Sequence, residues 1–594
     1  MLLQFREIWL VGFAFTRPPG ERPVPTCFVA REFLSNRSVE IWIGDSNAPE
    51  QCPIPTGPEV LFVMYKASEG LGGFFACGWP LPRHVIDLHV EFRNLSNGPA
   101  IPCDNELSDA LAFFGLSAII ASGGGHHREL AMRGGPYPPA ERMALLSYCQ
   151  GQVGALAQLV PKLGSTIDVT YALYRGRYMA AAAQMEWNGI PIDTNKLALF
   201  REHWTAIQDR LIDVINPRYG VYDGRTFKVD RWEAYLVARG IPWPRLESGS
   251  LALDDETFRQ MAKLYPREAG PMRELRHTLG QFRLNGLTVG ADGRNRCPLT
   301  PFRSRTGRNQ PSTSDFIFGS SVWLRSLIKP EPGRAVAYID WSQQEFAIAA
   351  ALSRDGAMME AYQSGDPYLA FAKQAGAIPR DATKESHPVQ RERFKVCVLA
   401  VQYGMGAKSL ADKLGEPEIV GCELLRLHKR TYPVYWRWSQ AAVDHAMLYR
   451  RLHTVFGWNL SVGADANPRS LANFPCQANG AEMLRLACCL IVEQGIPLLA
   501  PMHDAVMVEA DVDEIDAVVA RTQAAMCDAG RIVLDGFELR TDADVVVYPN
   551  RYSDERGVEM WSTVNRILTD LNGPNPGTCD LQTSSQVTGG FDHH

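Results

Sequence analysis

Arg334-Ala-Val-Ala-Tyr-Ile-Asp-Trp-Ser-Gln-Gln-Glu-Phe346, continued by small residues to Leu352, is the stretch around which the chain is organised. Ala335, Ala337 and Ile339 alternate with Val336 and Tyr338, and this period of two predicts a strand ending at Asp340. Ser342 and Glu345 have the S-x-x-E spacing of a capping box, which predicts a helix start directly behind it. An ionisable carboxylate is therefore expected at a strand end, against a helix start. Alone, that describes an ordinary surface Asp before a capped helix; a divalent-metal site needs a second carboxylate from elsewhere.

Pro497 to Ala510 offers one. Leu498 to Met502 and Ala505 to Val508 read as short apolar strands joined at His503-Asp504, so Asp504 is expected on a hairpin turn. Two carboxylates about 4 Å apart repel by roughly 4 kcal/mol at an effective dielectric near 20. Both stay ionised only if positive charge lies between them, and magnesium, a hard cation that takes oxygen ligands, fits. Between these two segments lies Arg391-Glu-Arg-Phe-Lys395-Val-Cys-Val-Leu399-Ala-Val-Gln-Tyr403-Gly404, in which Arg391, Lys395, Leu399 and Tyr403 recur every four residues. On a helix they form one stripe, two cations followed by an apolar residue and a ring, an order that suits a triphosphate, a sugar and a base. The same stripe also describes plain amphipathic packing.

The chain has 594 residues, too many for one core, and about three or four domains are expected. Its composition, 46% hydrophobic and 21% charged, is that of a globular protein and excludes a disordered one. The formal net charge of -6 gives no global attraction to nucleic acid, so a basic region must be local. Residues 281–330 supply it: Arg283, Arg294, Arg296, Arg303, Arg305, Arg308, Arg325 and Lys329 face only Asp292 and Asp315, a plausible phosphate-tracking surface. The thirteen cysteines form no C-x-x-C pair and sit mostly in apolar runs, which points to reduced thiols inside a cell and against a disulfide scaffold or a cysteine zinc site. Arg6 and Glu7 interrupt the apolar amino terminus, and no stretch reads as a membrane span.

Residues 1 to about 165 read as an α/β unit, with strands at Glu7 to Phe15, Thr26 to Ala30, Val39 to Ile43, Val60 to Met64 and Val85 to Leu88. Helices are expected at Leu107 to Phe114 and Pro139 to Leu159, and a flexible loop at Gly123 to Gly125 before a solvated His126-His127 pair. From Ile167 to about Leu287 the pattern is helical, as it is again from 346 to about 461. A helix at Gln477 to Glu493, the strand pair, a helix at Val512 to Asp528 and a strand at Asp544 to Val547 follow, and the tail after about Asn572 is expected to be disordered.

Taken together these pieces resemble the family A DNA polymerases. Asp340 to Glu345 is similar to the family's D-Y-S-Q-x-E motif, Arg391 to Gly404 to its R-x(3)-K-x(7)-Y-G motif, and His503-Asp504 to its H-D-E motif. Arg469, Asn473 and Gln477 match the spaced R, N and Q before the last of these, and Thr306-Gly307-Arg308 matches its T-G-R. The resemblance covers about 170 to 555 and implies an α/β multidomain protein: a ribonuclease H-like exonuclease domain (1–165) ahead of a right hand. The hand would have its thumb at 166–290, its palm at 291–345 and 462–556 and its fingers at 346–461, with 557–594 a partly disordered tail.

The resemblance further implies two Mg2+ ions, with Mn2+ able to substitute, held by Asp340, Asp504 and the Trp341 backbone carbonyl. Asp340, Asp504 and Lys395 would be catalytic. Arg391, Lys395, Leu399, Tyr403, Gly404, Glu345 and Gln344 would bind the dNTP, with Glu345 crowding the sugar's 2′ carbon. Thr306, Arg308, Arg469, Asn473, Gln477 and His503 would hold primer-template DNA. Processivity partners stay open, no membrane partner is implied, and the cytoplasm of a bacterial or phage-infected cell is the expected location. Leu399 stands where the family usually has Phe or Tyr, and Ala505 replaces an acidic residue.

An exonuclease of the related kind needs a D-x-E on the first strand, a middle Asp and a late Y-x(3)-D. Here Gly12 and Ala14 occupy the first pair, Asp87 the middle, and Tyr148 to Gln152 the last with Gln for Asp. Gly, Ala and Gln supply no anionic ligand, so proofreading is expected to be absent; no 5′ nuclease domain is expected either. Two alternatives stand beside the polymerase reading. Glu345 speaks against a single-subunit RNA polymerase, and the retained pair of aspartates against a non-catalytic primer-template binding protein.

Overall fold

Two large sheets and the helices between them dominate the molecule, seen in a computed structural model that describes residues 4–44, 49–98, 105–116, 124–246, 248–280 and 286–572. The first sheet has the order β3-β2-β1-β4-β5, with β1 (Glu7–Thr16), β2 (Val24–Glu32), β3 (Ser38–Trp42), β4 (Val60–Met64) and β5 (His84–Asp87). β1, β2 and β3 pair antiparallel, whereas β4 and β5 join parallel. The period of two in β1 divides its side chains between two cores: Ile8, Leu10 and Ala14 pack towards the helix Pro139–Leu163, and Trp9, Val11 and Phe13 pack the other way. That second core runs without a break through the helix Val169–Asn188 into the second sheet, so the first domain is not hung on a linker.

Sequence reading missed the helices Ala67–Cys77 and Leu88–Ser96. It also took part of the helix Gly124–Arg133 for a loop: His126 and His127 lie in that helix, and the His127 ring stacks on Tyr148 with centroids 5.5 Å apart. Two glycines hid the helical period there. Gly123 and Arg283 lie outside the described residues, as does the chain beyond Asn572; up to that point the expected tail is a helix, Val558–Asn572.

The second sheet is antiparallel, with strands in the order Leu498–Met502, Ala505–Asp511, Arg334–Trp341 and Thr541–Val547. The central strand carries Asp340 one residue before its end. Seven helices, from Gln344–Ser353 to Pro433–Tyr449, separate that strand from the hairpin Arg451–His453/Asn459–Ser461 and the long helix Pro468–Glu493. Ahead of the sheet lies a further helical region from Val169 to Gly280. Among the described residues no helix is long and apolar enough to cross a membrane, and the cysteines are free thiols.

Candidate active site

The register of the second sheet brings the two aspartates together. Asp340 pairs with Ala505 across the central strands, and the Trp341 N–H donates to the Asp504 carbonyl at 3.2 Å. His503 and Asp504 form the expected turn, with His503 at a φ of 39°. Burial, and next the Asp340 carboxylate, push the Asp504 carboxyl up to about 6, and Arg308 pulls against that rise. A half-buried carboxylate held beside a second one is short of positive charge, and hard oxygen donors are what a magnesium ion takes. The donor set at this strand end therefore fits a divalent cation, although among the described residues no three His, Cys, Asp or Glu side chains gather into a ready metal cluster.

The predicted capping box does not form. The helix Gln344–Ser353 starts from Gln343 in the left-handed region, without a side-chain cap. The Ser342 hydroxyl donates instead to Asp542, on the neighbouring strand Thr541–Val547. A tertiary acceptor has displaced the local N–H donor that the box requires, since the central strand runs on to Trp341 and carries Ser342 past that edge. Glu345, released from capping, is half-buried, and its carboxyl is raised by burial and lowered by Arg308. Gln344 is buried; a Cβ at Gly480 would lie 3.1 Å from its Oε1, a tighter contact than usual where the helix Pro468–Glu493 packs against it.

The helix Pro388–Gln402 carries Arg391, Lys395 and Leu399, and Tyr403 is its C-cap rather than its last turn. Gly404 follows at a φ of +64°, which frees the chain to turn, and a Cβ there would meet the Arg469 side chain at 3.2 Å. Tyr403 is half exposed; burial raises its hydroxyl, followed by the Glu345 charge, while Arg308 lowers it and Asp504 raises it. Tyr403, Glu345, Arg308 and Asp504 thus share one electrostatic neighbourhood. Arg391 sits three turns back, its Nε donating to Asp366 Oδ2 at 2.5 Å and its guanidinium 5.7 Å from the Tyr368 ring. Sequence reading missed Asp366; its only local signal is an N-cap position before Pro367.

Arg308 belongs to a tight loop in which Gly307 takes a φ of +76°. Thr306, in the same loop, bonds through its hydroxyl to Ser304 at 3.1 Å. His503 is held below the usual histidine range by burial, then by Arg308, Arg325 and Arg556. Arg469, Asn473 and Gln477 lie on the first three turns of the helix Pro468–Glu493, with Asn473 and Gln477 half-buried. The basic strip is less uniform than its sequence implied. Arg294 pairs with Glu509 at 2.5 Å, Arg296 with Asp292 at 2.6 Å and Arg325 with Asp554 at 2.8 Å, so these three stabilise the fold, while Arg303 and Arg305 remain exposed.

In the first domain Gly12, Tyr148 and Gln152 come together. A Cβ at Gly12 would lie 3.6 Å from Gln152 Oε1, and Gln152 Nε2 donates to the Tyr148 hydroxyl at 2.9 Å. Ala14 is buried in the core beneath. Asp87 is at the end of β5, two strands from β1, and its oxygens accept the N–H groups of Lys66, Ala67 and His89 at 2.7–3.0 Å.

The family model of DNA polymerase family A matches residues 317–546. DNA polymerase I of Aquifex aeolicus is 24% identical over 400 residues, 61% of this chain and 64% of that protein. The DNA polymerase of Mycobacterium phage L5 is 26% identical over 406 residues, 66% of this chain and 64% of that protein. The chain thus spans under two thirds of the length of either relative. In fold it is similar to the POL domain of Pol1 from M. smegmatis, solved in complex with DNA primer-template and dNTP: the TM-score is 0.68 at 17% identity, covering 92% of this chain and 95% of that one.

Proposed function

We propose, for a chain whose residues 317–546 match the model of DNA polymerase family A, that it extends a DNA primer with deoxynucleotides under the direction of a DNA template. The observation that carries this reading is the register that sets Asp340 beside Asp504, with Arg308, Glu345 and Tyr403 in the same electrostatic neighbourhood. The carboxylates of Asp340 and Asp504 and the Trp341 carbonyl would hold two divalent cations, Mg2+ or Mn2+, which when bound supply activation of the primer 3′-hydroxyl and charge stabilisation of the leaving pyrophosphate.

Arg391 and Lys395 would neutralise the triphosphate, Arg391 exchanging its partner Asp366 for phosphate oxygens. Leu399 and Gln344 would line the nucleotide, and Tyr403 and Gly404 would lie where the new base pair closes. Glu345, half-buried rather than held as a helix cap, would exclude a ribose 2′-hydroxyl. Thr306, Arg308, Arg469, Asn473, Gln477 and His503 would hold the primer-template near its terminus. In this reading 166–290 is the thumb, 291–345 and 462–556 the palm, and 346–461 the fingers.

The first domain would not proofread. Gly12, Ala14 and Gln152 offer no anionic ligand, and the oxygens of Asp87 are taken up by backbone N–H groups. Extension of a labelled primer-template with Mg2+ tests the polymerase reading, and absence of extension would defeat it. Incubation with a mismatched 3′ nucleotide and no dNTP tests the second claim: the primer is expected to stay intact, and release of the mismatched nucleotide would refute it.

A further inference from the structure

The helix Leu88–Ser96 leaves β5 and runs onto the loop that carries Arg308. Asn97, its C-cap, is buried, and its Nδ2 donates to the Arg305 carbonyl at 2.8 Å and the Asn459 carbonyl at 2.6 Å. One turn back, Asn94 Oδ1 accepts from the Asn459 N–H at 2.6 Å, and its Nδ2 donates to the Gly457 carbonyl at 3.0 Å. Arg93 Nη2 reaches the Arg303 carbonyl at 2.6 Å. Glu91 completes the face: it forms a bidentate pair with Arg175, each bond 2.6 Å, and Arg175 Nη1 donates to the Phe456 carbonyl at 3.3 Å. Glu91, Asn94 and Asn97 are spaced by three, so one helical face grips two backbone segments of the region beyond the first domain.

Those segments frame Arg308. Within the loop the Arg308 N–H donates to Ser304 Oγ at 2.7 Å, and the Ser304 N–H returns to the Arg308 carbonyl at 3.2 Å. Trp458 Nε1 shares the Arg305 carbonyl with Asn97 at 3.0 Å, and Arg485 Nη1 holds the Gly307 carbonyl at 2.6 Å. The alternate carbonyls of Arg303, Arg305 and Gly307 are thus all occupied, the first two from the first domain. The Arg308 side chain projects forward to where its charge is felt by Asp504, Glu345, His503 and Tyr403.

We infer that Asn97 and Arg93 are positioning residues for primer-template binding: the first domain sets the 303–308 loop so that Arg308 is presented at the primer terminus. The inference rests on the reading of Arg308 as a primer-template contact, and it holds whatever the first domain does to DNA itself. Buried amides keep these partners because an unmade bond costs more than a made one contributes. A loop displaced by about 1 Å is enough to weaken a charge-assisted contact.

A double-mutant cycle tests it. Binding of a fluorescent primer-template is measured by anisotropy at one fixed salt concentration for the unmodified chain, Asn97→Ala, Arg308→Ala and the double variant, with thermal unfolding and kcat of each. Asn97→Ala is expected to weaken primer-template binding about tenfold. It should leave kcat at saturating primer-template within about twofold, and should have no further effect once Arg308 is alanine. An equal loss in both backgrounds would overturn the proposal, since Asn97 would then act on the fold and not through Arg308. Arg308→Ala binding as tightly as the unmodified chain would overturn the reading of Arg308 and the positioning role with it. Should Asn97→Ala fail to fold, Arg93→Ala, at a half-buried side chain, enters the same cycle with the same expectations.

Discussion

Glu345 shows how a residue can be found by its sequence and still be misread in its local chemistry. Its spacing from Ser342 announced a cap; the fold gives Ser342 to Asp542 and leaves Glu345 half-buried within the field of Arg308 and Tyr403. A gate made of bulk predicts that Glu345→Ala loses about 10–200-fold in discrimination against ribonucleotides, read from the ratio of kcat/KM for dNTP and rNTP; unchanged discrimination would remove Glu345 from that role. Arg391 makes a second prediction. Deprived of its charge-assisted bond to the triphosphate, Arg391→Ala should show a KM for dNTP raised about 10–100-fold, with a modest fall in the thermal midpoint because Asp366 loses its partner. At this scale the motif residues were legible, because spacing along one chain fixes them. Their partners were not: Asp366, Asp542 and Asn97 matter only through neighbours that the tertiary fold brings to them.

Elements were legible where one period ruled. The strand Arg334–Trp341 and the hairpin at His503-Asp504 came through with their ends nearly in place, as did the helix Pro388–Gln402. The helices Leu88–Ser96 and Gly124–Arg133 did not, the first short and polar, the second opening on glycines. The helix Glu418–Thr431 adds a prediction in pH. His428 is buried among Phe371, Tyr432 and Tyr435, its Nδ1 accepts from Trp436 Nε1 at 3.0 Å, and burial lowers it from 6.5 to about 3. Because the folded value lies below the unfolded one, the neutral ring's contribution is whole above pH 6.5 and is lost as pH falls towards 3. Between pH 6.5 and 5 that loss is roughly 2 kcal/mol. The thermal midpoint of the unmodified chain should therefore fall more steeply over that interval than that of His428→Asn, and parallel slopes would contradict the assignment.

For the whole molecule the consequential finding is that the first domain shares its core with the rest and is tied to it by a buried ion pair. Arg175 and Glu91 expose 4% and 1% of their side chains. Removing one partner leaves the other charge buried and unmatched, so Arg175→Ala should cost about 3–5 kcal/mol and lower the thermal midpoint by several degrees; an unchanged midpoint would mean that the pair carries no such load. This fusion was not legible from the sequence, since 84 residues separate the two partners and neither lies in a motif. One strand register brings the two aspartates together. Primer extension with Mg2+ by the unmodified chain, Asp340→Asn and Asp504→Asn tests it most directly. Robust extension by the first and a loss of roughly 10³-fold or more in kcat for each variant is the predicted result; extension by either variant at the unmodified rate would contradict it.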